Sequence, residues 1–316
     1  MEKKRRKHRL TALLLAVSLA VTGIPAAGME TRAADAPEGC SLLARYPLQQ
    51  DVNDISGNGR NGETHGNVSY TDGLVLPGGK KTSAEDASYV ILPGNMFTGK
   101  EKLTISVWIK NATDKGNYAA LFFGTAPQGN KMPLNYWLFN PINPGGLFKS
   151  VFTNADNADS PYSTEAGVTA GDTTQYKGKW AHYTTVLTED SVTGYINGKQ
   201  VGTASKSKKV SEFKSGIQAY IGRSNYIEDM TYAGSFCDLK IYEGAMEQAQ
   251  VREQYFDTEY LTQEMCESLL PEIANDLSLA EQTENAIVAE AKKLELPGEF
   301  RGASITWSSD KEGVIS

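Results

Sequence analysis

The sequence predicts an all-β fold, an antiparallel β-sandwich or jelly roll. Short runs of aromatic and β-branched residues recur between loops rich in Gly, Asn and Pro, and helical periodicity is weak before residue 245. Residues 180–202 hold several such runs around tight turns, which is typical of a meander. A meander with one polar face is half of a sandwich, so we expect the rest of the chain to supply the opposing sheet.

The meander is defined by its turn residues. Residues 180–187 and 192–196 are rich in β-branched and aromatic residues and are predicted to be antiparallel strands. The Asn-Gly pair at 197–198 tolerates positive φ at both positions, as a type I′ turn requires. This turn therefore pairs Ile196 with Lys199 in a second hairpin.

Further strands are predicted by alternation and by flanking turn residues. Residues 103–110 place Ile105, Val107 and Ile109 on one face, so this strand is expected to have one buried side. The same reasoning predicts strands at residues 42–48, 74–76, 89–92, 119–123, 136–139, 148–152, 218–222 and 234–242.

The composition changes after residue 245. Residues 246–256 and 261–294 are dense in Glu, Gln, Ala and Leu, which predicts helices, with Pro271 as an interruption. From residue 296 the pattern returns to β, with alternation over 304–307. The sequence predicts a signal peptide at 1–36, a jelly roll at 40–246, a helical linker at 247–280 and a truncated β module at 281–316.

The N-terminus resembles a secretory signal. Five consecutive basic residues, 3–7, precede an apolar run over 10–24, and Ala34-Asp35-Ala36 fits the cleavage pattern, with an earlier exit at 25–27. No second apolar stretch long enough to cross a membrane follows. We therefore expect no membrane span after signal cleavage, and a secreted or cell-surface protein. The chain has 31 basic and 38 acidic side chains, which disfavours nucleic acid as a partner.

Three cysteines are too few for a disulfide scaffold in an exported protein. Cys237 alternates with Leu239 and Ile241, which predicts a small buried hydrophobe. His182 shares a strand face with Trp180 and is predicted to be a satisfied core or rim histidine, since no other histidine has metal-ligand spacing to it.

From about residue 44 to residue 246 the chain resembles a bacterial laminin-G-like, concanavalin A-like jelly roll of the lectin/glucanase superfold. The resemblance rests on the order and spacing of seven short segments rather than on any one of them. These segments are residues 44–48, 54–59, 105–109, 180–182, 195–199, 220–222 and 234–242. The tail at 296–316 is similar to the start of an atrophied bacterial immunoglobulin-like module.

The resemblance implies a function. This pairing of modules is similar to that of large secreted glycoside hydrolases, especially arabinan- and arabinose-cleaving ones, whose catalytic part would lie beyond Ser316. We therefore expect a non-catalytic carbohydrate-binding module, monomeric and covalently continuous with further domains, with a polysaccharide or glycan as its partner. The alternative from another class is a cell-surface adhesion or spacer domain that contacts protein. An enzyme complete within these residues ranks last, because no alternating acidic strand motif for glycoside cleavage occurs.

A loop at residues 51–62 is rich in Asp, Asn and Gly. Such oxygen-rich chemistry suits calcium, and it equally suits an Asx-turn loop whose carboxylates accept backbone amides. The resemblance implies a structural calcium ion between Asp54 of this loop and Asp238 of the closing strand.

Sugar-binding candidates are aromatic rings beside polar side chains, since rings pack on the C–H faces of pyranoses. The candidates are Tyr118, Tyr136, Trp137, Arg223, Asn225 and Tyr226. Tyr136 and Trp137 are adjacent, so one of the two must point into the core of the sandwich.

Overall fold

The computed structural model describes residues 17–18, 36–113, 118–127, 129, 132–206, 208–213, 215–257, 259–276, 299–300, 303–304 and 306–307. The chain divides into two compact units, Met29–Thr262 and a second one formed by Met1–Gly28 with Gln263–Ser316. The predicted signal peptide lies, apart from residues 17–18 and 36, outside the described residues.

Within these residues the strands and helices follow in chain order. The strands are β1 (Val17–Ser18), β2 (Ser41–Tyr46), β3 (Glu63–His65), β4 (Ser69–Tyr70), β5 (Leu74–Leu76), β6 (Tyr89–Leu92), β7 (Leu103–Asn111), β8 (Leu121–Thr125), β9 (Asn135–Asn140), β10 (Leu147–Asn154), β11 (Ala166–Asp172), β12 (Trp180–Leu187), β13 (Ser191–Ile196), β14 (Lys199–Ser205), β15 (Ile217–Ile221), β16 (Gly234–Glu243), β17 (Glu299–Phe300), β18 (Ala303–Ser304) and β19 (Thr306–Trp307). The helices are α1 (Gln248–Tyr255) and α2 (Gln263–Asp276).

The larger unit is a sandwich of two antiparallel sheets, which confirms the predicted fold class. In the part of the chain that the structure describes, one sheet has seven strands in the order β11-β10-β9-β8-β15-β6-β3. The other has eight strands, in the order β14-β13-β12-β7-β16-β5-β4 with β2 also paired to β16. Both β5 and β2 lie along the same edge of β16, one after the other. A β-bulge at Asp238, where φ is 45°, separates the two pairings.

The central meander forms as its turn residues predict. Strands β12, β13 and β14 pair in sequence, and Ile196 lies opposite Lys199. Asn197 and Gly198 have φ of 50° and 70°, the left-handed conformation that a type I′ turn needs. Gly194 in β13 is required for packing, because a Cβ there would overlap the ring of Phe148 from the opposing sheet.

The core lies between the inner faces of the two sheets. Its residues alternate along the strands with residues that point to the outer faces of the sheets. Examples are Ile105, Val107 and Ile109 of β7, which were predicted to face inward and are all buried in this core.

Helix α1 packs on the outer face of the eight-stranded sheet. Val251 is fully buried there, and the ring of Tyr255 stacks on Trp108 with centroids 5.5 Å apart. The larger unit runs to Thr262. This compact unit extends past residue 246, the predicted end of the jelly roll, and α1 buries a face of its sheet.

Strands β3, β4 and β11 were not predicted. The first two have three and two residues, too short for a periodic signal. Strand β11 has the sequence AGVTAGD, and Gly, Ala and Asp are depleted in strands. Pairing with β10 makes it extended, so tertiary context overrides local preference at this edge.

The smaller unit contains α2 and short strand pairs. Pro271 lies inside α2, which continues to Asp276, so the prediction that this proline interrupts the helix is wrong. Strand β1 pairs with β19 and β17 with β18. Residues 277–298 and most of those after 300 lie outside the described residues, so the immunoglobulin-like module stays a prediction. None of the helices in the described ranges is long and apolar enough to cross a membrane.

Candidate functional site

Aromatic side chains line the outer face of the seven-stranded sheet. Because side chains alternate along a strand, Phe122 of β8 and Tyr136 of β9 point away from the core and join a separate apolar cluster. Tyr89 of β6 and Tyr220 of β15 belong to the same cluster. The rings of Phe122 and Tyr136 stack at 5.3 Å, and those of Tyr89 and Tyr220 meet edge to face at 5.6 Å.

A chain of hydrogen bonds lies on this face. Tyr226 Oη donates to Tyr136 Oη at 2.7 Å, and Tyr136 Oη donates to Glu165 Oε1 at 2.7 Å. Lys149 Nζ then donates to Glu165 Oε2 at 2.6 Å. Since the proton of Tyr226 is directed at Tyr136, the Tyr226 oxygen retains lone-pair capacity to accept a hydrogen bond from a ligand hydroxyl.

The two phenols remain protonated at neutral pH. Burial is the main cause that raises the pKa of Tyr136, and the negative charge of Glu165 raises it further. Burial likewise raises the pKa of Tyr226, with Glu165 and Asp229 adding to the effect. The hydrogen bonds therefore all run in one direction, from the Tyr226 hydroxyl through the Tyr136 hydroxyl to the Glu165 carboxylate.

Tyr162 is the most accessible aromatic residue near this chain. It lies in the short 3₁₀ turn Pro161–Thr164, directly before Glu165, and it is 54% exposed. It is close enough to Tyr226 to raise the pKa of that phenol. We call Lys149, Glu165, Tyr136, Tyr162 and Tyr226 the tyrosine site.

Arg223 lies on the same face, against two rings of the aromatic cluster. Its Cζ is 4.6 Å from the centroid of Tyr89 and 4.7 Å from that of Tyr220. Its Nε donates to the carbonyl oxygen of Ser224 at 3.1 Å. Tyr118, the remaining predicted aromatic residue, is 37% exposed.

Trp137 and Asn225 do not have the predicted role. Trp137 is 1% exposed in the core, and its Nε1 donates to Ser150 Oγ at 2.9 Å. The physical reason is alternation in β9: with Tyr136 outward, its neighbour must point inward. Asn225 is 2% exposed, and its amide donates to the carbonyl oxygen of Thr125 at 2.9 Å. Neither side chain can contact a ligand without rearrangement.

The carboxylate of Asp54 is fully engaged by backbone amides. It accepts N–H groups of Arg45, Ser56 and Arg60 at 2.9 to 3.0 Å. Burial opposes ionisation of Asp54, but hydrogen bonds from these amides prevail and lower its pKa. This is the Asx-turn alternative of the sequence analysis.

Asp238 is engaged by cations. Its oxygens accept Arg45 Nε at 2.8 Å and Nη2 at 3.1 Å, and Lys240 Nζ is 3.0 Å away. The carboxylates of Asp54 and Asp238 both accept hydrogen bonds from protein donors, and a buried guanidinium lies against Asp238. This arrangement does not fit a calcium ion shared by the two carboxylates. Within the described ranges no group of three or more His, Cys, Asp and Glu side chains is placed to hold a metal. The structural calcium ion predicted at Asp54 and Asp238 stays a prediction.

Ser106 and His182 form a hydrogen bond of the kind found in nucleophile–base pairs. Ser106 Oγ and His182 Nε2 are 2.7 Å apart. Both residues are buried beneath α1, at 1% exposure, and Nδ1 of His182 has no partner among the described residues. Burial, aided by the charge of Lys240, lowers the pKa of His182 to about 3, so it is a poor base. The pair is structural: His182 is buried beneath α1 rather than in the core between the sheets, and only one of its ring nitrogens has a partner among the described residues.

Cys237 is a buried hydrophobe, as predicted. It is fully buried, its Sγ donates to the carbonyl oxygen of Tyr260 at 3.2 Å, and burial raises the pKa of the thiol.

The sequence analysis missed Lys149, Glu165 and Tyr162. Lys149 could have been found from β10, where it alternates with Phe148 and therefore points outward. Glu165 and Tyr162 lie in a loop between β10 and β11, and no local pattern brings them to Tyr136.

The chain is similar in fold to two solved domains. The first is domain 4 of AbnA, a GH43 extracellular arabinanase from Geobacillus stearothermophilus, in complex with arabinotriose. It matches with a TM-score of 0.52 and 23% identity over 69% of this chain and 100% of that domain. The second is the binding domain of botulinum neurotoxin DC in complex with rat synaptotagmin II, with a TM-score of 0.50 and 18% identity over 70% of this chain. That match spans 52% of the toxin domain.

No curated protein sequence matches the chain significantly. The sequence profile of the concanavalin A-like lectin/glucanases superfamily, in its laminin-G form, matches residues 84–252. These residues run from the start of the aromatic outer face to α1 and make up more than half of the chain. The chain belongs to the concanavalin A-like lectin/glucanases superfamily.

Proposed function

We propose that this chain is a non-catalytic carbohydrate-binding module of an extracellular, multidomain carbohydrate-active enzyme. We further propose that the sugar binds at the tyrosine site. The observation that carries the proposal is an exposed aromatic ring, Tyr162, beside a directed hydrogen-bond chain that ends on Glu165.

The chemistry of the site suits a sugar. A ring such as Tyr162 offers a flat apolar face to the C–H groups of a sugar. The oxygens of Tyr226 and Glu165 can accept hydrogen bonds from hydroxyl groups, and Lys149 can donate one. Few polar groups beside an aromatic surface are typical of a site that binds a small neutral ligand.

Arabinose-containing glycans are the first ligands to test. The arabinanase domain with the same fold was solved in complex with arabinotriose, and the flanking modules predicted from the sequence resemble those of arabinose-releasing enzymes. The signal-like N-terminus supports an extracellular location, as does the extracellular arabinanase itself. Dissociation constants of about 10 μM to 1 mM are expected for a shallow, partly exposed site.

The test is calorimetric titration of the full chain with arabinotriose and with a wider set of plant cell-wall oligosaccharides. Tyr162→Ala should weaken binding about fivefold or more, the loss expected for one aromatic contact. Tyr226→Phe, which removes only the hydroxyl, should weaken it about threefold or more. Ile55→Ala is the matched control, since Ile55 is 40% exposed but lies in the loop between β2 and β3.

Binding that survives both tyrosine substitutions would place the sugar elsewhere. Absence of binding across a broad glycan array, together with retention of a protein from the same cell surface, would favour the adhesion alternative. The botulinum neurotoxin DC binding domain, 52% of which this chain matches, was solved in complex with rat synaptotagmin II, which is a reason to include protein partners in the test.

A further inference from the structure

Arg223 is held in place but is not used by the tyrosine site. The rings of Tyr89 and Tyr220 meet at 86°, and the guanidinium lies within 4.7 Å of both centroids. The hydrogen bond from Nε to the carbonyl oxygen of Ser224 holds the guanidinium at a third point, in addition to the two rings. An arginine side chain on a protein surface loses much conformational freedom in such a setting, so the structure has already ordered it before any ligand arrives.

The outer edge of this guanidinium has no hydrogen-bond acceptor in the part of the chain that the structure describes. Among the described residues, Arg223 makes a hydrogen bond only through Nε, and no carboxylate forms an ion pair with it. The N–H groups of Nη1 and Nη2 therefore remain available to donate to a ligand, and the side chain is partly exposed. A planar pair of N–H donors that point the same way matches the two oxygens of a carboxylate.

Neighbouring cations are already neutralised. The segment from Lys80 to Ala87 packs beside the loop that carries Arg223, since Thr82 Oγ1 donates to the carbonyl oxygen of Tyr226 at 2.7 Å. In this segment Lys80 pairs with Asp86 and Lys81 pairs with Glu228, each at 2.7 Å. One uncompensated cation on a chain of net charge −7 suits a single carboxylate rather than a polyanion.

We propose that Arg223 binds the carboxylate of a uronic acid residue in the glycan that occupies the tyrosine site. This inference rests on the proposed function and names the class of glycan. Arg223 and Tyr226 are three residues apart in one loop, so their Cα atoms are at most about 11 Å apart. A short oligosaccharide can therefore contact the tyrosine site with one sugar and Arg223 with the next.

The experiment compares two ligands that differ only in the carboxylate. The probes are an arabinose- or xylose-based oligosaccharide with one glucuronic acid branch and the same compound after carboxyl reduction to glucose. The full chain should bind the acidic compound about tenfold more tightly, as charged hydrogen bonds predict. The preference should shrink as salt is raised from low to high concentration, while binding of the reduced compound should stay constant.

The variants assign the preference to one side chain. Arg223→Gln should remove the preference, so that the variant binds the acidic and the reduced compound equally, and Arg223→Lys should keep only part of the preference, because an ammonium lacks the planar pair of donors. Lys80→Gln is the matched control, since it removes one positive charge from an exposed ion pair of the neighbouring segment.

Equal binding of the two compounds by the unmodified chain would overturn this inference and leave the proposed function intact. A preference that persists in Arg223→Gln would also overturn it. Failure of the unmodified chain to bind either compound, or any other glycan, would overturn the proposed function and this inference with it. The comparison of ligands uses the unmodified chain, so it remains decisive if a variant does not fold.

Discussion

Arg45 and Asp238 form a buried bidentate ion pair between the first and last strands of the sandwich. The distances are 2.8 Å from Nε to Oδ1 and 3.1 Å from Nη2 to Oδ2, and both residues are at most 3% exposed. Arg45 also contacts Asp257 at 3.1 Å and Glu259 at 2.7 Å, beyond the end of α1. The pair therefore joins the closing strands to the segment that follows the helix.

The first prediction compares two acidic partners of Arg45, the half-buried Asp257 and the more exposed Glu259. Asp257 also contacts Lys240 Nζ at 2.6 Å, and Lys240 is 2% exposed. Asp257→Ala should lower the free energy of unfolding by about 2 kcal/mol or more, because it removes one partner of a buried charge. Glu259→Ala should cost under about 1 kcal/mol, because the Glu259 side chain is 48% exposed. Urea unfolding of the two variants measures both values, and equal losses would contradict the role given to Asp257.

The same segment fixes the domain boundary. A chain that ends at residue 246 lacks α1 and exposes Trp108 and Lys240, whereas one that ends at Thr262 keeps both covered. The shorter chain should be insoluble or should melt at a markedly lower temperature than the longer one. Differential scanning calorimetry of both chains tests this, and equal melting temperatures would restore the boundary predicted from the sequence.

The Asp54 loop should be insensitive to chelators. Asp54→Ala leaves three backbone N–H groups without their acceptor, so the free energy of unfolding should fall by about 1–3 kcal/mol. The loss should be the same with excess chelator as without it. A melting temperature that falls on chelation in the unmodified chain, but not in Asp54→Ala, would instead support the calcium ion that the family resemblance implies.

Trp137 should matter for stability rather than for sugar binding. Trp137→Ala should lower the free energy of unfolding by about 3–5 kcal/mol, the usual cost of removing a large buried aromatic side chain. Tyr162→Ala, on the exposed side of the same sheet, should change it by less than about 0.5 kcal/mol. Thermal unfolding followed by circular dichroism compares the two, and a stable Trp137→Ala variant would contradict the placement of this residue in the core.

The sequence predicts the strands better than the site, for a physical reason. The inward face of β7 and the Asn-Gly turn at 197–198 depend on local patterns, and both formed as expected. The prediction that β7 has only one buried side is wrong, because its other face is buried as well and α1 packs over Trp108. In β9, Tyr136 and Trp137 are both aromatic, so alternation cannot decide which one points outward. Glu165 reaches Tyr136 only because β10 and β11 pair, which is a long-range effect. An Asp- and Asn-rich loop has the same composition whether its acceptors bind amides or an ion.

His182 predicts how stability depends on pH. Its ring packs between Ser106, Trp108 and Tyr255, and the charged groups that act on it are Lys240, which lowers its pKa, and Asp257, which raises it. Burial, the largest cause, and Lys240 together hold the pKa at about 3 in the folded chain. An exposed histidine in the unfolded chain has a pKa of about 6.5.

Between these two values the unfolded chain binds a proton that the folded chain does not. His182 should therefore leave the free energy of unfolding unchanged above about pH 6.5. Below that pH it should lower the free energy of unfolding by about 1.4 kcal/mol for each pH unit, down to about pH 3. His182→Gln should flatten this slope between pH 6 and pH 4, although it lowers stability at pH 7. His65→Gln is the control, because His65 is partly exposed and the variant should keep the slope. Urea unfolding at several pH values tests the prediction, and a slope that persists in His182→Gln would assign the titration to another group.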